Sequence, residues 1–208
     1  MKPALFLSNG GANPAIRKIA SRPEAIGGIV DHDIYSLPTI ELDNYGAVLI
    51  GMHADQRFLA GRAAQIERYL RGGGTAVANG HIAYPFLPGM AGFHTQESGR
   101  LDDLAIIRLA EHPVWHGVSA HDLTFRRGVA GFYGRVWHDA PEGAYVINSV
   151  GASDKPLDFI YPVGRGRVLF HGGNDLWQFG GADSTGRIVP QLLRWLFNTA
   201  PASMEGTS

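Results

Sequence analysis

Two short apolar runs and one amphipathic stretch follow one another within residues 45–86. The runs are Ala47–Ile50 and residues 75–78, and each leads into a polar turn that contains a histidine. Between them, apolar residues recur at spacings of four, three and four positions, which places on one helix face Leu59, Ala63, Ile66 and Leu70. Strand, helix and strand at this spacing predict a βαβ unit, which implies a parallel sheet.

The predicted helix has recognisable ends. Asp55 is expected to be its N-cap, because a carboxylate at that position can accept a backbone N–H of the first turn. Gly72 is the first of three glycines and is expected to take the left-handed conformation that ends many helices. We therefore expect one continuous helix between these two residues.

The rest of the chain alternates in a similar way. The other expected elements are strands at residues 4–7, 28–35, 104–109, 131–137 and 144–147, a hairpin at 157–161 and 167–170, and helices at 14–20, capped by Asn13, and 188–197. The predicted fold is a single domain over residues 1–200, followed by a flexible tail at 201–208. Its class is α/β: a flavodoxin-like three-layer sandwich with a mostly parallel sheet and antiparallel additions in the C-terminal half.

Composition excludes several classes of function. The 208 residues are 45% apolar, enough for one full-sized core, and the formal net charge of -1 lacks the basic footprint of a nucleic-acid-binding protein. The chain has no cysteine, which excludes disulfides, thiolate metal sites and cysteine nucleophiles. The first apolar run is too short for a signal sequence or a membrane span, so a cytoplasmic protein without a membrane partner is expected. Base rates of assembly predict a homodimer.

Four predicted strands end in polar, glycine-rich turns. Because ligands bind outside the carboxyl ends of parallel strands, we expect these turns to form a site at one edge of the sheet. The candidate ligand-binding residues are Ser8, Asn9, Gly10, Gly51, His53, Asn79, Gly80, Asn174 and Trp177. The expected ligand is a small polar metabolite.

A strand, a helix ending in three glycines, and a second strand leading into a sharp turn resemble the class I glutamine amidotransferase-like fold. Within that superfamily the pattern is most similar to the trehalose-utilisation (ThuA-like) branch. Residues 112–118 resemble a connector of that branch, and residues 164–168 resemble the glycine-rich hairpin before its last strand. The resemblance covers roughly residues 3–197 and is strongest near 45–82 and 160–175.

The resemblance also assigns positions to the family's catalytic groups. His81 falls on the position of the catalytic cysteine, and the glycines that flank that cysteine correspond to Asn79 and Ala83. The family's His-Pro-Glu corresponds to His171-Gly172-Gly173, so the histidine is matched and the glutamate is not. The oxyanion-hole turn corresponds to residues 51–53. Without the nucleophile, the family's glutaminase reaction through a thioester is excluded.

Several roles remain open for the histidines. His171 is a candidate general base oriented by Asp175 or another carboxylate, and the alternative is a structural role in its turn. His81 is a candidate nucleophile, ligand-binding donor or turn residue. His53, His81 and His171 together are a candidate metal site, against the commoner case of histidines bonded to loop backbone. No other cofactor is indicated.

The sequence thus predicts a non-glutaminase amidotransferase-like protein that binds a small polar or carbohydrate-related metabolite. Hydrolysis or isomerisation of that metabolite is compatible with the histidines. The first alternative is a catalytically inactive binding or assembly subunit. The second is a metal-dependent hydrolase that uses the strand-end histidines.

Overall fold

The structure is a computed structural model that describes residues 1–10, 13–96, 100–126 and 128–197. Its strands are β1 (Ala4–Ser8), β2 (Ile29–Asp33), β3 (Ala47–Ile50), β4 (Thr75–Asn79), β5 (Phe93–Thr95), β6 (Ile106–Arg108), β7 (Phe125–Arg126), β8 (Val129–Ala130), β9 (Val136–His138), β10 (Tyr145–Val150), β11 (Pro156–Val163) and β12 (Gly166–His171). Its helices are α1 (Pro14–Ala20), α2 (Gln56–Ala60), α3 (Ala63–Arg71), α4 (Ala120–Thr124) and α5 (Ile188–Phe197). The tail at 201–208 lies outside the described residues.

An eight-stranded sheet forms the centre of the molecule, in the order β2-β1-β3-β4-β12-β11-β10-β6. Neighbours from β2 to β12 pair in parallel, and the pairs β12–β11, β11–β10 and β10–β6 are antiparallel. The predicted α/β class with a mostly parallel central sheet is confirmed. Antiparallel strands occur in the second half, as expected.

Both faces of the sheet are buried, which explains why β3 is apolar at every position and β1 at every position before Ser8. Along β3, Leu49 belongs to the core cluster that includes α1 and α5, whereas Val48 belongs to the cluster that includes α2 and α3. We call these sides the α5 face and the α3 face. Because side chains alternate along a strand, each strand contributes to both cores.

The helix predicted after Asp55 is interrupted, so the expectation of one continuous helix is wrong. Asp55 is the N-cap, and its Oδ1 accepts the N–H of Phe58 at 3.0 Å. Gly61 then caps α2, and α3 begins after Arg62. Glycine is a weak helix former, which makes this the favoured place for a break.

Other differences also involve glycine or local capping. Gly72 has a right-handed φ of -72°, and Gly73 has the positive φ of 112° that was expected of Gly72. The strand expected at 28–35 ends at Asp33, whose side chain accepts the N–H of Tyr35 and starts a short 3-10 helix. Of the strand expected at 131–137, only residues 136 and 137 lie in a ladder, as part of β9. The expected start at Gly131 has a φ of 76°, which is not compatible with a strand.

Both terminal helices have the predicted bounds, and the predicted hairpin is formed by β11 and β12 around Gly164. The strand expected at 104–109 shortens to Ile106–Arg108. No helix among the described residues is long and apolar enough to cross a membrane.

The hairpin is attached to the end of α3 by close backbone contact. The N–H of Arg167 donates to the carbonyl of Gly74 at 3.1 Å. A Cβ placed on Gly166 would lie 2.2 Å from the carbonyl oxygens of both Gly74 and Leu70. Only glycine therefore allows β12 to begin at this point.

We expect Gly166→Ala to lower the free energy of unfolding by about 2–4 kcal/mol, because backbone atoms must move to admit the methyl group. Gly92→Ala is the matched control: a Cβ added at Gly92 would meet no atom within 4 Å, and the φ of this residue is not positive. The control is expected to change stability by less than about 0.5 kcal/mol. Urea unfolding of both variants measures the difference, and equal losses would contradict the packing argument.

Candidate functional site

The carboxyl ends of β1, β3, β4 and β12 lie at one edge of the sheet because these strands are parallel. We call it the strand-end edge. His171 ends β12 and lies opposite Asn79 at the end of β4. The edge predicted from the sequence is therefore formed, and two of its candidate residues are neighbours.

His171 is fully buried and is held by a carboxylate that the sequence did not single out. Its Nδ1 donates a hydrogen bond to Oδ1 of Asp158 at 2.5 Å, and neither side chain has any exposed surface. Asp158 lies directly opposite His171 in the β11–β12 ladder. The carboxylate that orients His171 is thus Asp158 from the neighbouring strand, and not Asp175.

The second oxygen of Asp158 completes a buried network. Oδ2 accepts the hydroxyl of Tyr133 at 2.8 Å and the side-chain N–H of Asn148 at 2.6 Å. Trp115 Nε1 in turn donates to the Tyr133 hydroxyl at 2.6 Å. Burial, and then the charge of Asp158, raise the pKa of Tyr133 well above its usual value, so this hydroxyl remains a donor. Three donors therefore converge on one carboxylate.

The other ring nitrogen of His171, Nε2, is buried and has no hydrogen-bond partner among the described residues. The ring packs against Tyr133, with 4.5 Å between ring centroids. A Cβ on Gly173 would lie 1.7 Å from the Tyr133 carbonyl oxygen and 2.8 Å from His171 Nε2. The position at which the resemblance expects glutamate therefore has no room for a side chain.

The sharp turn after β4 is centred on Gly80 and not on His81. Gly80 has a φ of 89°, and a Cβ there would lie 2.6 Å from Cβ of Met52. In a nucleophile elbow the reactive residue occupies the strained turn itself. His81 follows the turn, is exposed, and packs its ring against Phe93 with 4.7 Å between centroids.

Side chains of the edge connect its turns to one another. Asn79 donates to the carbonyl of Ile50 at 3.2 Å and accepts the N–H of Leu176 at 3.1 Å. Asp175 accepts the N–H of Met52 at 2.7 Å. Burial raises the pKa of Asp175, and the hydrogen bond from Met52 partly offsets this effect. These bonds join the turns after β3, β4 and β12.

The remaining candidate residues divide by exposure. Asn9, Gly10 and His53 are exposed at the edge, and Asn9 bridges two turns by donating to the His53 carbonyl and accepting the N–H of Asp55 at 3.2 Å. The buried or half-buried candidates contact the protein itself. The Ser8 hydroxyl donates to the His32 carbonyl, and the Asn174 side chain donates to the Phe132 carbonyl. Gly51 lies close to the side chains of Asp175 and Trp177. Trp177 itself packs edge-on against Phe6.

The structure does not assemble the three-histidine metal site. Within residues 1–10, 13–96, 100–126 and 128–197, no group of three or more His, Asp or Glu side chains is arranged to hold a metal ion. His53 and His81 are exposed, whereas His171 is enclosed by the Asp158 network. The alternative of a metal-dependent hydrolase built on these residues is therefore not supported.

Sequence reasoning missed four side chains of the edge. Asp158, Asn148, Tyr133 and His138 are all fully buried. His138 Nε2 accepts the N–H of Ile82 at 3.0 Å, and burial lowers the pKa of His138 to about 3, so this ring stays neutral. The available signal was a carboxylate inside an apolar strand, since Asp158 stands between Leu157 and Phe159.

Comparisons with known proteins identify the fold. No protein-family model and no curated protein matches the sequence. Among solved structures, cytoplasmic protein STM1381 of Salmonella typhimurium LT2 is 9% identical, with a TM-score of 0.63 over 95% of this chain and 99% of that chain. Cytoplasmic protein STM3548 of Salmonella typhimurium is 12% identical, with a TM-score of 0.60 over 93% and 98%.

A third solved structure bears on the resemblance to amidotransferases. A candidate GMP synthase subunit from Thermoplasma acidophilum is 12% identical, with a TM-score of 0.56 over 94% of both chains. At such identities the similarity establishes the fold alone. The chain therefore shares its fold with this protein, in agreement with the amidotransferase-like fold that the sequence resembles.

We expect Asp158→Asn to lower the free energy of unfolding by about 3–5 kcal/mol, because one amide oxygen would replace two carboxylate oxygens that serve three buried donors. Asp139→Asn is the matched control, since Asp139 pairs with His94 at 2.9 Å but both side chains are largely exposed. The ion pair between Asp139 and His94 is expected to contribute less than about 1 kcal/mol to the free energy of unfolding. Urea unfolding at neutral pH tests this contrast; a small loss in both variants would show that the buried network does not support the fold.

Proposed function

We propose that this chain is an amidotransferase-like domain of the ThuA-like branch that lacks glutaminase activity and binds a small polar metabolite at the strand-end edge. One observation carries the proposal: the two positions that would supply the nucleophile and the base supply neither. The turn after β4 is centred on Gly80, where Met52 excludes any side chain. His171 is buried against Asp158.

The order of the parallel strands supports a flavodoxin-like sandwich as the setting for this site. Counted among themselves, the parallel strands follow the order 2-1-3-4-5, which is the flavodoxin-like arrangement. In such sheets ligands bind outside the carboxyl ends of the strands. Most of the candidate polar groups lie at that edge.

Unused hydrogen-bonding groups at the edge support a polar ligand. The exposed ring of His53 makes no hydrogen bond to a described residue. Trp177 Nε1 is buried and has no partner among the described residues. Buried polar groups without a partner call for a water or a ligand. Hydroxyl-rich, carbohydrate-related metabolites carry donors and acceptors that match such groups.

A second candidate function, a binding or assembly subunit without any metabolite, is favoured by a different observation. Most of the polar residues at the edge already form hydrogen bonds that join its turns to one another, as Asn79 and Asp175 do. Such bonds make the edge rigid rather than reactive. The predicted homodimer and the predicted cytoplasmic location both fit this role.

The test measures thermal unfolding of the purified chain with glucose, galactose or trehalose as probes, together with ammonia release from glutamine. We expect at least one sugar to raise the Tm, His53→Ala to weaken that effect by about tenfold in sugar concentration, and no ammonia release. His116→Ala is the matched control, because His116 is also exposed but lies at the turn after Trp115.

Ammonia release from glutamine would contradict the proposal outright. A sugar effect that survives in His53→Ala would place the ligand elsewhere. If no sugar acts, and light scattering shows a stable assembly, the second candidate function replaces the first.

A further inference from the structure

A cavity of about 420 Å³ lies on the α3 face, between residues 38–43 and the first turns of α3. Its polar lining includes Glu41, Asp43, Arg62, Gln65, Arg68 and Tyr69. No candidate residue of the strand-end edge lines it. Its volume falls within the usual range for small-molecule sites, which is about 300–1,000 Å³.

Specific hydrogen bonds fix the two walls of the cavity relative to each other. The side-chain amide of Gln65 donates to the carbonyls of Leu37 at 2.9 Å and Ile40 at 3.3 Å, which fixes the loop relative to α3. The hydroxyl of Tyr69 lies 3.3 Å from the carbonyls of Tyr45 and Thr75. The cavity is therefore part of the packed fold, and a ligand would meet it largely pre-formed.

Charges of both signs line the cavity. Arg62 directly precedes α3 and Arg68 lies on α3, whereas Glu41 and Asp43 lie on the facing segment. None of these four side chains forms an ion pair or a side-chain hydrogen bond with a described residue; Arg62 only lies 5.7 Å from the ring of Phe58. By contrast, Arg71 on the same helix is paired with Glu67 at 2.7 Å.

This arrangement selects for a ligand that carries both charges. A guanidinium binds a carboxylate through two parallel N–H donors, and a carboxylate accepts from an ammonium group. Glu41, Asp43 and Arg68 are exposed and Arg62 is half-buried, so water solvates these charges in the free protein. A ligand with one charge would contact one pair only, whereas a ligand with both charges would contact both pairs. Pro38, Ile40 and Leu42 add apolar surface for a side chain.

We propose that this cavity is a binding site for a zwitterionic metabolite of the amino-acid class, with Arg62 and Arg68 toward its carboxylate and Glu41 and Asp43 toward its ammonium group. The site is independent of the strand-end edge. Ligand binding in this cavity can therefore be tested independently of ligand binding at the strand-end edge.

Ligand-observed NMR on the full chain tests it with L-leucine as the probe. The controls are 4-methylpentanoate, which is leucine without its ammonium group, and isoamylamine, which is leucine without its carboxylate. We expect leucine to bind at least about tenfold more tightly than either control compound. Arg62→Gln and Arg68→Gln are each expected to weaken leucine binding about tenfold.

Arg71→Gln is the matched control variant, since it removes an arginine from the same helix outside the cavity, and it is expected to leave binding unchanged. Far-UV circular dichroism and Tm establish that all variants fold. Absence of leucine binding up to about 10 mM would overturn the proposal. Equal binding of 4-methylpentanoate and leucine would also overturn it, as would equal losses in Arg62→Gln and Arg71→Gln.

Discussion

The hydrogen bond between Asp158 and His171 is the interaction around which the strand-end edge is organised. It joins β11 to β12 at the boundary between the parallel and antiparallel parts of the sheet. A buried carboxylate is stable only when its oxygens are satisfied, and Tyr133 and Asn148 supply the remaining donors. The backbone at Gly173 lies close to the same histidine ring, since a Cβ there would be 2.8 Å from His171 Nε2. The edge is consequently closed where an amidotransferase would need access.

Local pattern was sufficient to predict most of the framework. Apolar runs and helical spacing located β3, β4 and both terminal helices, and glycine-rich turns located the strand-end edge. The break at Gly61 was missed because the apolar stripe continues through it, although one glycine suffices to separate α2 from α3. Helical periodicity indicates which face of a helix is buried, but it gives little information about a local break in that helix.

The candidate site was harder to predict because its decisive contacts are not local. Asp158 meets His171 only after β11 and β12 pair in one register, and Tyr133 reaches Asp158 from a loop. The resemblance assigned a catalytic histidine to the end of β12, but it could not reveal that His171 is fully buried there. Likewise, spacing assigned the turn after β4 to His81, whereas the backbone placed the strained position at Gly80. Asn148, Tyr133 and His138 thus became recognisable as partners at the edge only in the folded structure.

A closed strand-end edge requires that solvent reagents cannot reach the ring of His171 in the folded protein. Treatment of the folded protein with diethyl pyrocarbonate, followed by mass spectrometry of its peptides, measures which imidazole rings solvent reagents can reach. The exposed rings of His53 and His81 should be modified, and the fully buried ring of His171 should react only once urea unfolds the chain. Modification of His171 in the folded protein at the rate seen for His53 would contradict a closed edge and would restore His171 as an accessible base.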